Sequence, residues 1–388
     1  QIKELETILK NNPDEPEIHR DLANVYFDNK KNKLAIKEFN KHLETNKKDV
    51  RSIYFMAKAY QNLNKIPDAI DTLKTGIETD PNHQSFYQQL GLIYDKLGRY
   101  EDAITQLKKS TEIKEDSYSH GQMSYIYAYK LGKVKEALKE GLLAVESNPR
   151  DPWIYSHLAG LYQQIGNFET AFDYREKYIN FIEVKHGKNH QMYSTALLDM
   201  SYTYELVGAL EKANDIYQRV LKINKPFLEQ SPNRYLHMIL DIADKLALRG
   251  NKKYEEEGFK LLEEAKTIGD FTPGIEVSMQ ARINSKMGMA YVKEGKFDKG
   301  EPLLKNAYEK QKQLGLLTDL YQTLRGLSLL YGNTRVIDKW VNVLREKIEI
   351  TRKLYGENSL LYAHDLGDLA SGHLEMGDPK SAKNNAAR

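Results

Sequence analysis

The sequence predicts an all-α protein, an α-solenoid made of about ten antiparallel helix pairs. Three observations support this fold class. A motif of apolar and small residues recurs along the chain, glycines separate the two halves of each copy, and the copies follow one another at nearly constant spacing. Self-similarity at a fixed period of about 20 to 50 residues is typical of repeat proteins, in which each unit packs mainly on its neighbours.

The first helix of each repeat is predicted from stretches that align without gaps. The clearest three read Ile53-x-x-Met56-Ala57-x-x-Tyr60, Tyr87-x-x-Leu90-Gly91-x-x-Tyr94 and Tyr155-x-x-Leu158-Ala159-x-x-Tyr162. Apolar residues at positions i, i+3, i+4 and i+7 share one face of a helix. The small residue within that face lets a partner helix approach closely, and the tyrosine fills the space between neighbouring hairpins.

The second helix is predicted from an alanine that follows nine residues after the last tyrosine of each motif, at Ala69, Ala103 and Ala171. Two further copies pair Leu22-Ala23-x-x-Tyr26 with Ala35 and Met123-Ser124-x-x-Tyr127 with Ala137. The glycines expected to end first helices are Gly98, Gly132, Gly166, Gly208, Gly250, Gly295 and Gly377. Glycine takes the left-handed conformation there without a steric penalty.

The repeat starts fall into two classes of spacing. We place them at 16, 50, 84, 117 and 152, and then at 194, 236, 281, 320 and 363. The expected organisation is a second helix of a truncated repeat in 1–15, five units of about 34 residues in 16–182, and about five units of about 42 residues in 183–388, the last one truncated. The units near 236 and 320 match the motif poorly, and the first of them is expected to carry an insertion around Lys252–Glu257.

The recurring positions resemble the tetratricopeptide repeat family. The longer units resemble its kinesin-light-chain type, through His186-Gly187-Lys188-Asn189-His190-x-x-Tyr193 and Tyr355-Gly356-Glu357-Asn358-Ser359-x-x-Tyr362. The resemblance implies a right-handed superhelix whose first helices line a concave groove. It also implies a non-enzymatic scaffold for protein–protein interaction, with a peptide or a partner segment bound in that groove.

Partner-binding residues follow from the positions that point into the groove in this family. Carried over to this chain, the resemblance selects Asn24, Arg51, Tyr54, Lys58, Gln88, Tyr125, Tyr129, Trp153 and Tyr202. Amides and cations can bond a peptide backbone or a carboxylate, and aromatic side chains supply contact area. A purely structural role stays open for each of them; Tyr125 and Tyr129, one helical turn apart, can instead pack against the neighbouring hairpin.

The carboxylate clamp by which some members of the family hold chaperone C-termini is not expected here. Arg20 and Asn24 fit its first two positions, but Phe55 stands at its third. Ser85 and Gln89 occupy the places of its basic pair.

Composition and motifs argue against other classes of function. Lys plus Arg (57) and Asp plus Glu (55) leave a net charge of +2, without the basic excess of a nucleic-acid binder. There is no apolar run of about 18 residues that would span a membrane, no cysteine for disulfides or thiolate chemistry, and no phosphate-binding or zinc-protease motif. The closest histidines, His186 and His190, lack a third ligand. We therefore expect no enzyme activity, no cofactor and no metal.

Two alternatives to a plain scaffold stay open. The chain could be a sensory or regulatory module of a larger signalling or effector protein, or an assembly factor of a bacterial envelope complex. Both ends fall inside a repeat and the first residue is not Met, which favours a fragment of a longer protein. The expected location is cytoplasmic, with a periplasmic or envelope location left open, and the oligomeric state is not predicted.

Overall fold

The computed structural model describes residues 2–13, 15–247 and 251–386. These residues form 21 α-helices and one short 3-10 turn, and consecutive helices pack as antiparallel pairs, about ten in all. The predicted all-α fold of repeated helix pairs is confirmed. The chain divides into two compact units, Gln1–Ala213 and Asn214–Arg388, which are described separately.

The N-terminal unit alternates first and second helices of its repeats after a leading helix α1 (Ile2–Asn11). The first helices are α2 (Pro16–Asp28), α4 (Val50–Asn62), α6 (Gln84–Lys96), α8 (Ser117–Tyr129), α10 (Pro152–Gln164) and α12 (Gln191–Leu206). The second helices are α3 (Asn32–Thr45), α5 (Ile66–Thr79), α7 (Tyr100–Ile113), α9 (Val134–Ser147) and α11 (Phe168–His186). Helix α13 (Leu210–Asn224) contains the boundary between the two units.

The C-terminal unit continues after the 3-10 turn Lys225–Phe227. Its first helices are α14 (Pro232–Ala247), α16 (Val277–Lys293), α18 (Leu317–Asn333) and α20 (Leu360–Glu375). Its second helices are α15 (Lys252–Phe271), α17 (Phe297–Gln313), α19 (Ile337–Tyr355) and α21 (Pro379–Ala386). In the described part of the chain, no helix is both long enough and apolar enough to cross a bilayer.

The predicted helix starts agree with the structure in the first five repeats and are late in the others. Helices α2, α4, α6, α8 and α10 begin at the predicted residues. Helix α12 begins at Gln191 and α20 at Leu360, three residues before the prediction, because each has one more turn ahead of the motif. His190 and Ser359 cap these turns: their Nδ1 and Oγ atoms accept hydrogen bonds of 3.2 Å from the next helix's first amides.

The interface within each pair is built on the predicted small residues. Ala23, Ala57, Ala103 and Ala159 are at most 1% exposed. A Cβ atom at Gly91 would lie 2.8 Å from Leu107 Cγ, so α6 and α7 approach more closely than a larger residue permits. The predicted turn glycines that are described all have positive φ, from 65° to 78°, at Gly98, Gly132, Gly166, Gly208, Gly295 and Gly377. Gly250 lies outside the described residues.

The two poorly matching units are also helix pairs, α14 with α15 and α18 with α19. The insertion expected around Lys252–Glu257 is not a separate loop, because residues 252–257 form the first turns of α15. Gly258 then takes the place of the small residue, since a Cβ there would lie 3.0 Å from the Ala243 carbonyl oxygen. The sequence motif is lost in this unit, yet the close approach that the motif provides is kept.

Candidate partner-binding site

The nine residues selected from the sequence all lie on first helices of the N-terminal unit. We call the surface formed by α2, α4, α6, α8, α10 and α12 the first-helix face. It carries Asn24 on α2, Arg51, Tyr54 and Lys58 on α4, Gln88 on α6, Tyr125 and Tyr129 on α8, Trp153 on α10, and Tyr202 on α12. Their surroundings separate them into groups with different chemistry.

Asn24 and Arg51 meet at the N-terminal end of this face. Both line a polar cavity of about 370 Å³ together with Arg20, Asp21, Asp49 and Ser52. The two arginines there face two carboxylates, and Arg20 forms ion pairs with Asp21 and Glu17. The cavity is therefore close to neutral, and it offers no concentrated charge to a partner.

Tyr54, Lys58 and Gln88 are half-buried and use their polar groups within the unit. The Tyr54 hydroxyl donates to Gln89 Oε1 at 3.2 Å, and Lys58 Nζ lies 5.5 Å from the centre of the Tyr54 ring. The Gln88 amide donates to Asp116 Oδ1 and Ser119 Oγ of the next repeat, both at 3.2 Å. The contacts of Tyr54 and Gln88 join successive repeats, whereas the contact of Lys58 lies within α4.

Four side chains form an aromatic cluster on α8 and α10: Tyr125, Tyr129, Trp153 and His157. The indole of Trp153 is stacked on the His157 ring, with centroids 5.0 Å apart and planes 6° apart. Tyr129 contacts His157 at 5.6 Å and Tyr125 at 5.0 Å. Even so, Trp153 stays 43% exposed and Tyr129 55% exposed. The rings of the cluster pack on one another, and the outer surfaces of Trp153 and Tyr129 are exposed to solvent. Tyr202 on α12 is also 45% exposed.

Close packing fixes the orientation of Trp153. A Cβ atom at Gly121 would lie 3.0 Å from Trp153 Cζ3, so the indole is held between α8 and the His157 ring. A rigid aromatic side chain loses little conformational entropy when a partner covers it. One edge of Trp153 thus stays exposed while the rest of the indole is packed.

His157 is the buried member of the cluster and is neutral at physiological pH, because burial lowers its pKa to about 4. Its Nε2 lies 2.8 Å from Ser124 Oγ, and that hydroxyl donates to the Ala137 carbonyl at 2.6 Å. The Ser124 proton is thus already engaged, so His157 Nε2 carries the hydrogen and donates it to Ser124. A general base would need the opposite arrangement. Ser124 is also fully buried, and this serine–histidine pair is structural.

Acid is expected to destabilise the N-terminal unit through His157. The unfolded chain binds the proton near pH 6.5 but the folded chain only near pH 4, so the stability that neutral His157 provides is present above pH 6.5 and lost as pH falls toward 4. The full loss is about 3 kcal/mol. Denaturant unfolding of the wild type and of His157→Gln across this pH range measures it.

The matched control for that experiment is His120. Burial alone would lower the pKa of His120, but hydrogen bonds with Glu140 and Glu115 raise it. Its contribution therefore has the opposite sign: it is present below pH 6.5 and lost as pH rises through the folded pKa. A His157→Gln variant whose stability falls with acid as steeply as that of the wild type would contradict our assignment.

Three residues, His157 within the cluster and Gly160 and Arg175 beside it, are not selected by the sequence pattern. His157 lies within the apolar motif of α10, where a histidine gives no signal of its own. Gly160 occupies a groove position of that helix, and Arg175 belongs to a second helix, α11, which the family pattern does not direct toward the groove. Only the structure brings them together with Tyr129 and Trp153.

The histidine pair noted in the sequence is close in space. The rings of His186 and His190 are stacked, with centroids 4.6 Å apart. His190 Nδ1 is occupied in capping α12. Stacked rings direct their nitrogen lone pairs side by side rather than toward a common point, so this geometry gives no support to a metal site.

Another group, in the C-terminal unit, has ligands within metal-binding reach of one another: His364, Asp365 and Asp368. It already contains a cation. Lys347 Nζ lies 3.0 Å from Asp365 Oδ1 and 2.8 Å from Asp368 Oδ2, and Lys347 is only 3% exposed. The ammonium group lies between the two carboxylates, and the cluster is best described as an ion-pair network around the buried Lys347–Asp365 pair.

Comparison with known proteins agrees with the geometry. Family models described as tetratricopeptide repeat match residues 2–49, 84–117 and 151–225. These matched segments are tetratricopeptide repeats, and the other described helices form antiparallel pairs of the same kind. Protein KINESIN LIGHT CHAIN-RELATED 3 of Arabidopsis thaliana is 24% identical over 155 residues, which is 40% of this chain and 23% of that protein. The matched segment thus spans less than a quarter of that relative.

A solved structure of a tetratricopeptide repeat protein has a similar fold. The C-terminal part of a TPR repeat-containing protein from Cytophaga hutchinsonii is 19% identical, with a TM-score of 0.50, covering 63% of this chain and 94% of its own. The pilF protein of Pseudomonas aeruginosa is 14% identical, with a TM-score of 0.43, covering 54% of this chain and 91% of its own. At 19% identity the similarity to the Cytophaga hutchinsonii structure concerns the fold alone.

Proposed function

We propose that this chain is a non-catalytic scaffold that binds a peptide, or an extended segment of a partner protein, along the first-helix face of its N-terminal unit. The observation that supports the proposal is the aromatic cluster, in which Trp153 and Tyr129 are rigidly held yet about half exposed. Tetratricopeptide arrays present extended surfaces to partners, and exposed aromatic residues are enriched among the residues that dominate binding energy.

The surroundings of the cluster suit an extended chain better than a small molecule. Amide side chains lie along the first-helix face on both sides of the cluster. Gln89 donates to Gln61 at 3.2 Å, and Gln163 accepts from Thr203 at 3.0 Å. Such amides can exchange a hydrogen bond with a peptide backbone, while the aromatic edges cover apolar side chains. The surface therefore combines contact area with backbone recognition.

The test is a peptide selection followed by measured affinities. Short random peptides displayed on phage are selected on the wild-type chain, and the selected peptides are synthesised and titrated by fluorescence anisotropy. We expect Trp153→Ala to weaken binding by about 2 kcal/mol, or roughly 30-fold in Kd, and Tyr129→Ala to weaken it in the same direction.

Phe271→Ala is the matched control, because Phe271 is an aromatic residue of the C-terminal unit that is 82% exposed. This variant should bind the selected peptides like the wild type. Failure to select any peptide, or equal affinity of wild type and Trp153→Ala for the selected peptides, would overturn the proposal.

A further inference from the structure

Arg175 is a buried cation whose hydrogen-bonding capacity is only partly used. It extends from α11 to lie between two first helices, where its Nη1 donates to Ser156 Oγ on α10 and to Asp199 Oδ2 on α12, both at 3.2 Å. The residue is 7% exposed, and its Nε has no partner among the described residues. Buried guanidinium groups normally satisfy most of their five N–H donors.

The charge of Arg175 is also incompletely compensated. Burial lowers the pKa of Arg175 although Asp199 acts to raise it. The penalty of removing the cation from water therefore exceeds what one carboxylate at 3.2 Å returns. A second negative group beside the guanidinium would be stabilised.

Packing is sparse around Gly160, one helical turn from the serine that Arg175 contacts. Ser156, which Arg175 contacts, and Gly160 are one turn apart on the same face of α10. Outside α10, the described residues place only the Tyr129 hydroxyl within 4 Å of a Cβ at Gly160, at 3.8 Å. Burial raises the pKa of Tyr129, and the positive charge of Arg175 partly offsets this rise. We call this space, bounded by Ser156, Gly160, Tyr129 and Arg175, the Gly160 notch.

We propose that the Gly160 notch receives a carboxylate of the bound peptide, with Arg175 as the residue that selects it. The inference rests on the proposed function, since it names the chemistry of the segment that the aromatic cluster holds. A carboxylate fits the planar donors of a guanidinium, and it supplies the negative charge that Asp199 alone does not. A neutral amide could accept the same hydrogen bond, but it would leave the buried charge as it is.

The experiment compares four pools of short synthetic peptides. The pools either contain or lack Asp and Glu, and they end either in a carboxylate or in an amide. Binding to the Trp340→Phe chain is followed by the fluorescence of Trp153, which is then its only tryptophan. We expect the pool without any carboxylate to bind at least about tenfold more weakly than the best of the others. Two of the pools have carboxylates only on side chains or only at the C-terminus. They show which of the two provides the carboxylate that binds.

Two variants test the notch itself. Arg175→Gln should remove the preference for carboxylates and leave the weaker, Trp153-dependent binding. Gly160→Leu should likewise remove the preference for carboxylates while the helix stays at least as stable, because the notch is open and leucine favours a helix over glycine. The four pools are compared on a chain whose notch residues are unchanged. This comparison therefore tests the proposal even if Arg175→Gln fails to fold.

The outcomes separate this inference from the proposed function. If all four pools bind equally well and Trp153→Phe abolishes that binding in an anisotropy assay, the proposed role of Arg175 is overturned. The proposed scaffold function then still holds. A carboxylate preference that survives Arg175→Gln would overturn the role of Arg175 as well. Absence of binding by every pool would overturn the scaffold and the notch together.

Discussion

Replacing Lys347 by methionine is expected to lower the free energy of unfolding of the C-terminal unit by about 3–5 kcal/mol. Lys347 on α19 and Asp365 on α20 are 3% and 0% exposed, and they form an ion pair at 3.0 Å. Without the ammonium group, the buried Asp365 carboxylate keeps the Thr351 hydroxyl, at 2.5 Å, as a hydrogen-bond donor. An uncompensated buried charge is among the largest single destabilising changes known for a point substitution.

The measurement uses Trp340, which lies on α19 with Lys347. In a Trp153→Phe background, urea unfolding followed by Trp340 fluorescence reports on the C-terminal unit. The matched control is the double variant Lys347→Met with Asp365→Leu, which removes both charges. It should be close to neutral or more stable than the wild type, because the cost of burying two ions disappears with them. A single variant as stable as the wild type would contradict the prediction.

The repeats are predictable from the sequence at positions where packing alone determines the residue type. The motif Tyr87-x-x-Leu90-Gly91 predicted both the start of α6 and the close approach to α7, because a small residue within an apolar face has one simple physical meaning. The later helix starts were predicted three or four residues late, since the extra turn depends on a cap, as at His190. Histidine is not a typical capping residue, so its role there was not evident.

The candidate site was less predictable for a different reason. Trp153 and Tyr129 were selected by position, and the structure leaves both half exposed. Whether they bind a partner stays a prediction. Gln88 was selected by the same rule, yet its amide joins two repeats. Arg175 was missed because it reaches the first-helix face from the second-helix layer. The position of a residue within its repeat indicates only which way it points from its own helix. The contacts of Gln88 and Arg175 depend also on the neighbouring repeat.

Phe86 is the second residue whose removal should have a large effect, because it lies at a junction between repeats. Its ring is fully buried and contacts those of His83, at 4.7 Å between centroids, and Tyr54, at 6.2 Å. Phe86→Ala is expected to destabilise the N-terminal unit by about 3–5 kcal/mol through lost burial and the cavity left behind. Urea unfolding followed by Trp153 fluorescence, in a Trp340→Phe background, measures the change.

Gly76 on α5 provides the sharper test of this junction. A Cβ atom there would lie 2.5 Å from the Phe86 ring, so Gly76→Ala should overpack the interface and destabilise it by about 1–3 kcal/mol, even though alanine favours the helix. In a Phe86→Leu background the methyl group enters space that the ring has left. The double variant should therefore be more stable than the sum of the two single effects by about 0.5–3 kcal/mol. Additive effects would show that the ring and the glycine do not share this space, and the packing of α5 against α6 would need a different account.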